Sequence, residues 1–574
     1  MASPLKLKSE RIGNVAIAED SPNVSVLVDT GVYHLDGPFD YHLPKRLDLQ
    51  VGEWVSVPFK NRNHQGLIIE RGNKPFSAIS NSKILQVNRA IRGPKLDKTL
   101  IEFYQSIAKR WAVPIFDVLR FVTKIDNSTE IQDRTGDSKR LYRQLSPLID
   151  EITQVREIAT KISKSGKTLV IVPERRVADQ LISNDFAVGM RGSVLSPSYY
   201  KNVLILREES EHHYELRSPG FNSRDVALIR NQILGENLLF LGFTPSLEMG
   251  RLLETGYVKL IRASLPFKGR TQITAKPSLQ GELIPSGLIK PFKEALRKGP
   301  ALVIAPTKGY GLAISCAACR NIAKCDCGGK LSKTSKSADP KCVICGKDDQ
   351  NWRCKFCQKT TIYLIARGID RIAEEFGKSF PNTEIHIATA DKNIDGPVGP
   401  SAIVIATVGA APLMEYSTVL FLDGINLAAD LRSEERYLSV LFRHVSLSSG
   451  RALIVERPEN PAVNALLKWQ PFSYITRQLN ELTEAELPPS RRHALLKGEL
   501  DESSKIYIGL LTALREGRLP DKTKIFNVGG GIISIFFALK DSQKVLDFIY
   551  EFQKRRSISG KPMLKMRIDP YQLG

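Results

Sequence analysis

The sequence predicts a multidomain α/β protein, and three observations carry that prediction. Two successive sets of short, fully apolar runs read as parallel strands buried on both faces. All eight cysteines fall between Cys316 and Cys357, inside the second set. The segments before and after these sets have the mixed patterning of smaller β-rich and α+β units. A chain of 574 residues has room for roughly three or four domains. Its 42% apolar and 25% charged residues exclude a largely disordered or collagen-like chain.

The first 125 residues begin as β-structure. Val24-Ser25-Val26-Leu27-Val28 alternates, Gly37-Pro38 marks a turn, and Gly52 to Val57 and Gly66 to Glu70 read as further strands of a small sheet or barrel. A helical stretch from Thr99 to Arg120 closes this unit, and the polar residues from Asn127 to Ser138 read as a linker. The first apolar set follows, with Leu169-Val170-Ile171-Val172, Val203-Leu204-Ile205-Leu206 and Leu238-Leu239-Phe240-Leu241. The second comprises Ala301-Leu302-Val303-Ile304, Ile403-Val404-Ile405-Ala406, Val419-Leu420-Phe421-Leu422 and Ala452-Leu453-Ile454-Val455. Two α/β lobes are expected, the second interrupted by the cysteine segment, with an α+β segment from about 480 onward.

Lysine and arginine total 82 against 61 acidic residues, a net +21 that favours an anionic polymer as partner. The first 125 residues carry 18 basic against 12 acidic side chains, consistent with a surface that faces phosphates. No apolar run approaches the ~18 residues that a membrane span needs. The start Met1-Ala2-Ser3-Pro4-Leu5-Lys6 has no signal-peptide core, so a soluble, cytoplasmic protein without a membrane partner is expected.

The cysteines form four close pairs: Cys316 with Cys319, Cys325 with Cys327, Cys342 with Cys345, and Cys354 with Cys357. A pair on one tight turn can bite a metal, and two such turns complete a tetrahedron. Eight thiolates therefore make two closed structural zinc sites, whereas redox chemistry needs a single pair. Four pairs can be shared between two metals in three ways, and spacing does not choose among them.

Two apparent nucleotide motifs fail on their residues. Ser165-Gly166-Lys167-Thr168 resembles a phosphate loop, but Lys161 stands where the first glycine is needed and the segment runs into a strand rather than out of one. It reads instead as the end of a helix before the next strand. From 137 to 165 there is no glycine to build a phosphate nest. At a strand end, Leu206-Arg207-Glu208-Glu209-Ser210 puts a cation where Mg²⁺ would need a carboxylate. Glu208 and Glu209 are then expected to be solvated, and His212-His213 exposed.

An ordered set of motifs nevertheless resembles one family. Gly37-Pro38-Phe39-Asp40-Tyr41-His42-Leu43-Pro44, Val51-Gly52, Val57-Pro58-Phe59 and Trp111-Ala112 open it. Val172-Pro173-Glu174, Gly189-Met190-Arg191-Gly192-Ser193 and Gly242-Phe243-Thr244-Pro245-Ser246-Leu247-Glu248 follow. Gly309-Tyr310, the eight cysteines, Leu422-Asp423-Gly424, Arg432 to Arg436 and the ending Arg567-Ile568-Asp569-Pro570 complete it. Over nearly its full length the chain resembles the bacterial PriA family of replication restart proteins, and it is similar to the actinobacterial branch that lacks helicase ATPase motifs.

The resemblance implies a 3′-DNA-binding domain over 1–126 and degenerate, RecA-like helicase lobes over 139–268 and 269–480. It also implies a zinc-binding segment over 311–360 and a C-terminal domain over 481–574. Phe39, Asp40, Tyr41 and Lys83 match positions that line a pocket for a DNA 3′ end, although Lys60 occupies a family glycine position. An aromatic stacked on a terminal base is worth about 1–3 kcal/mol. The zinc assignment is Cys316, Cys319, Cys354 and Cys357 on one ion and Cys325, Cys327, Cys342 and Cys345 on the other.

The implied function is recognition of stalled or abandoned forks and promotion of primosome assembly. The implied partners are branched and single-stranded DNA, the single-strand-binding protein, the replicative helicase and other primosome components, met by a nucleoid-associated monomer. The residues argue against ATP, Mg²⁺ and helicase activity. The alternatives are an ATP-dependent 3′-to-5′ DNA helicase with divergent motifs, or a zinc-ribbon scaffold that binds protein.

Overall fold

The computed structural model describes residues 16–77, 84–122, 138–147, 149–263, 271–278, 282–306, 311–319, 321–326, 330–334, 337–342, 346–394, 396–423, 425 and 431–571. Its N-terminal sheet comprises β1 (Asn23–Val28), β2 (Pro38–His42), β3 (Trp54–Phe59), β4 (Arg62–Gly72), β5 (Leu85–Gln86) and β6 (Arg89–Ala90), in the order β5-β2-β1-β4-β3-β6. At the turn into β3, Gly52 has φ +88°, and a Cβ there would lie 1.7 Å from the Leu96 carbonyl oxygen. Only glycine fits that approach.

The helix expected over 99–120 is two helices, α1 (Lys98–Arg110) and α2 (Ile115–Val122). Asp97 caps α1 by accepting from the Leu100 N–H at 2.8 Å. The chain breaks between them, where Ala112 takes φ +51° and Pro114 cannot continue α1. Both helices bury apolar faces, Leu100, Phe103, Tyr104 and Ile107 from α1 and Val118, Leu119 and Val122 from α2.

The first apolar set forms a six-stranded, wholly parallel sheet. Its strands are β7 (Arg140–Gln144), β8 (Thr168–Ile171), β9 (Ala187–Gly189), β10 (Asn202–Leu206), β11 (Asn237–Gly242) and β12 (Lys259–Ile261), ordered β12-β7-β11-β10-β8-β9. Its helices are α3 (Glu151–Ser163), α4 (Arg175–Gln180), α5 (Ser223–Leu234) and α6 (Leu247–Glu254). The apolar runs are continuous because the two faces feed different cores. Val203 and Ile205 pack with α1, α2 and α5, while Leu204 and Leu206 enter a cluster shared with the second sheet.

The second sheet is also parallel and six-stranded. It contains β13 (Gln272–Ala275), β14 (Ala301–Ala305), β19 (Ile385–Ala388), β20 (Ile403–Thr407), β21 (Tyr416–Phe421) and β22 (Ser448–Ile454), ordered β13-β22-β21-β14-β20-β19. Helices α7 (Ser286–Leu296), α8 (Ile369–Ser379), α9 (Ser433–Val445), α10 (Pro461–Leu467) and α11 (Pro471–Glu484) surround it. Between β14 and α8 the cysteine segment leaves and returns as the antiparallel pair β15 (Gly311–Cys316) and β18 (Ile362–Arg367), enclosing the short pair β16 (Leu331–Ser332) and β17 (Lys341–Cys342).

The chain finishes as an antiparallel sheet with two helices. Strands β23 (Arg491–Lys497), β24 (Lys524–Gly529), β25 (Ile532–Ala538) and β26 (Lys565–Ile568) are ordered β24-β25-β23-β26, with α12 (Leu500–Arg515) and α13 (Ser542–Ile558). Its apolar residues join the same cluster as α1, α2 and the first parallel sheet.

Candidate functional site

The turn from β7 into α3 is where a parallel sheet of this type would cradle a phosphate, because helix N-terminal amides converge there. Here the turn is closed by the protein itself. Asp150 caps α3 by accepting from the Thr153 N–H at 2.8 Å, which places a carboxylate at the helix N-terminus. Gln154 accepts from the Ser146 N–H and donates to the Ser146 and Ile149 carbonyls, all at 2.8 Å. The Ser165 to Thr168 segment behaves as expected, linking the end of α3 to β8, and the Lys167 ammonium lies 5.2 Å from the Tyr200 ring centroid.

At the end of β10 the expectation of solvated carboxylates fails. Glu208 and Glu209 retain 1% and 6% of their exposure. Glu208 accepts from the Ser246 N–H at 2.7 Å and the Ser246 hydroxyl at 2.8 Å, and pairs with Arg224 at 3.2 Å. Glu209 accepts from the Ser439 hydroxyl at 3.0 Å, and burial pushes its carboxyl up to about 8. These partners come from distant segments, so the local sequence gave no sign of them. His213 is buried too, not exposed, with Nε2 2.8 Å from the Leu206 carbonyl, and burial lowers its pKa to about 4. His212 is exposed as expected.

Arg207 has φ +52° and a buried side chain. Its guanidinium lies 3.2 Å from Glu151 and 3.1 Å from Glu174. Burial would raise the Glu174 carboxyl, but Arg443, Arg207 and Arg176 outweigh it and hold that group well below the usual carboxylate range. Beside these groups a cavity of about 340 Å³ lies between the two parallel sheets, lined among others by Glu209, His212, Arg436, Ser439 and Tyr571. The cleft therefore holds cations that are already paired with protein carboxylates.

On the N-terminal sheet, Phe39, Asp40 and Tyr41 lie on β2, paired with Val26, Ser25 and Val24 of β1. Alternation sends Phe39 and Tyr41 to the core side and Asp40 to the other. Tyr41 is 3% exposed and its hydroxyl donates to the Pro58 carbonyl at 3.1 Å, so its ring is packed in the core. Phe39 stays half-buried, edge-on to Phe59 at 4.9 Å, and Phe59 sits 5.9 Å from His64. Asp40 accepts from the Ser77 N–H at 2.8 Å and from the Ser77 hydroxyl. Lys60 and Asn61 form the β3–β4 turn with φ +45° and +61°. Lys83 lies outside the described residues. Phe59 and Ser77, far from β2 in sequence, are thus the side chains that flank Phe39 and Asp40.

In the cysteine module, the sulfurs of Cys316, Cys319, Cys354 and Cys357 all lie within 4.8 Å of one another. Cys316 is 3.4 Å from Cys357, and Cys319 is 3.4 Å from Cys354. A tetrahedral zinc with ~2.3 Å Zn–S bonds has sulfur–sulfur edges of about 3.8 Å, so this set fits such an ion. N–H donors from Asn321, main chain and then side chain, lower the Cys319 thiol to about 6 and favour its ligating thiolate form. Cys325 and Cys342 are described, while Cys327 and Cys345 lie outside the described residues.

Two parallel α/β sheets facing across a cleft, a β-rich N-terminal unit and a cysteine module that could hold a metal define a multidomain α/β protein. Residues 25–124 match the PriA family model described as the 3′ DNA-binding domain. The chain is 26% identical to the probable replication restart protein PriA of Mycobacterium bovis, over 86% of this chain and 88% of that one. It is 22% identical to replication restart protein PriA of Rickettsia conorii, over 80% and 84% of the two chains. Among solved structures, RecG bound to a three-way DNA junction aligns at a TM-score of 0.27 and 10% identity, covering 67% of this chain and 46% of that one. The chain is thus similar to the PriA replication restart proteins over most of its length, and its residues 25–124 match the family's 3′ DNA-binding domain. No helix among the described residues is long and apolar enough to cross a membrane.

Proposed function

We propose that the protein is a replication restart factor that recognises stalled or abandoned forks through branched DNA and 3′ ends. It promotes primosome assembly and reloading of the replicative helicase, and it does so without ATP-driven unwinding. The two parallel sheets are degenerate helicase lobes over 139–268 and 269–480, set between the 3′-DNA-binding domain at 1–126 and a C-terminal domain at 481–574.

The observation that supports the absence of ATP turnover is the β7–α3 turn. Phosphoryl transfer rests on an electrostatic cradle for the phosphates and a carboxylate-bound Mg²⁺. In this chain Asp150 and Gln154 occupy the turn, and Arg207 projects where the metal carboxylate would be needed. ATP and Mg²⁺ are accordingly not cofactors in this account.

Phe39 stacks on a terminal base, Asp40 accepts from a 3′-hydroxyl through the oxygen that Ser77 leaves available, and Lys83 pairs with a phosphate. Tyr41 supports this surface from the core rather than touching DNA. Cys316, Cys319, Cys354 and Cys357 hold one structural zinc, and Cys325, Cys327, Cys342 and Cys345 hold a second. The single-strand-binding protein and the replicative helicase are the protein partners of this reading.

The test is fork affinity with a 3′-hydroxyl against a 3′-phosphate at the leading-strand end, for the wild type and for Phe39→Ala with Lys83→Ala. A preference for the hydroxyl that disappears in the variant supports the pocket. Equal affinity in all four measurements removes it.

A further inference from the structure

Two α/β sheets facing across a cleft are an arrangement that often closes around a ligand by hinge motion, and interdomain contacts are mobile by default unless extensive and apolar. We propose that in this chain the two parallel sheets are latched into one rigid unit by ion pairs buried across the cleft, so that the lobes keep a closed arrangement with no ligand between them. This goes beyond the DNA reading and does not depend on it.

The latch has two ends. At one, Glu174 of the first lobe takes Arg207 at 3.1 Å and Arg176 at 2.5 Å from its own side and Arg443 of α9 at 3.2 Å from the other. Arg176 in turn donates across the cleft to the Ala411 carbonyl at 2.9 Å and to the Gly409 carbonyl. At the other end, Arg432 of the second lobe pairs with Glu248 of α6, with Nη1 at 3.1 Å, while Glu435 accepts from the Leu247 N–H at 3.0 Å. The Ser439 to Glu209 hydrogen bond lies between the two ends.

The same two sheets share an apolar cluster that runs from Leu204 and Leu241 to Ile304 and Phe421. Helices α6 and α11 approach so closely that a Cβ on Gly250 would lie 2.4 Å from Ile475 Cγ2. Carboxylates and guanidinium groups of the protein thus take the places that a phosphorylated ligand and its counter-ions would fill in a cleft that opens and closes. An incoming nucleotide would have to break buried pairs to bind, and it would gain no closure by doing so.

Pulsed electron–electron distance measurements on the zinc-loaded full chain test this, with spin labels carried on unnatural amino acids at Ile182 of the first lobe and Lys378 of the second, both exposed. The wild type is expected to give one narrow distance distribution, unchanged by ATP, ADP or forked DNA. A second population, or a nucleotide-induced shift of more than about 2 Å, overturns the proposal. Glu174→Ala with Arg432→Ala should broaden the distribution, and Arg443→Lys, which keeps the charge, should broaden it less. An unchanged width in the folded double variant assigns the rigidity to the apolar cluster and overturns the latch. The wild-type arm decides the question of rigidity even if the double variant does not fold, and because it reads distance rather than turnover it separates this proposal from the absence of ATP hydrolysis.

Discussion

Arg443 Nη1 lies 3.2 Å from Glu174 Oε1, and the two side chains retain only 14% and 13% of their exposure. The pair joins a helix of the second lobe to the segment after the first lobe's second strand, and Arg207 shares the same carboxylate. A cleft that in an ATP-driven machine would be vacant for phosphates is here an internal ion-pair site.

Glu174→Ala leaves three guanidinium groups without their shared carboxylate. Removing one partner of a buried network costs about 3–5 kcal/mol, because the remaining charge stays desolvated. Urea unfolding followed by circular dichroism should show that loss. A change below about 1 kcal/mol would mean the pairs are solvated in solution.

Glu209 gives a pH-dependent test. Its carboxyl titrates near 8 in the folded chain and in the ordinary carboxylate range when unfolded, so the folded state binds the extra proton between those values. This group's contribution to stability is therefore fully present at acid pH and falls as pH rises toward 8. Glu209→Gln should be the more stable protein at pH 8, on the order of 4 kcal/mol, with the gap closing toward pH 5. An equal gap at both pH values would contradict the burial of this carboxyl.

Phe39 and Tyr41 share one expected site and one face of β2, but Tyr41 is buried and Phe39 only half-buried. Phe39→Ala should weaken binding of a 3′-ended fork by about 1–3 kcal/mol, the range for loss of a stacked base. Tyr41→Phe should leave fork affinity unchanged and cost about 0.5–1.5 kcal/mol of stability through the lost bond to Pro58. Loss of affinity in Tyr41→Phe would place its hydroxyl at the DNA.

Metal analysis of the purified chain should give two zinc ions per molecule, falling to one in Cys354→Ser. A wild-type content of one would remove the second four-cysteine site and leave the Cys316, Cys319, Cys354 and Cys357 cluster as the whole metal centre.

The parallel sheets were legible in the sequence because strands such as Val203-Leu204-Ile205-Leu206 are covered on both faces, which leaves no polar alternation to confuse with a helix. The cysteine cluster was legible for a different reason, since ligands on tight turns must be close in sequence. Glu208 and Glu209 were misread because their partners, Ser246, Arg224 and Ser439, meet them only through the fold. The latch stayed hidden for the same reason, with Glu174 and Arg443 on separate lobes. The break between α1 and α2 was written in Pro114 but overridden by the apolar periodicity on either side.

ATP hydrolysis by the full chain, measured with and without a fork carrying a 3′-ended leading strand alongside binding of that fork, is the most direct test. Tight binding with no turnover above background is the expected result. DNA-stimulated hydrolysis that exceeds a Glu208→Ala and Glu209→Ala control would contradict it.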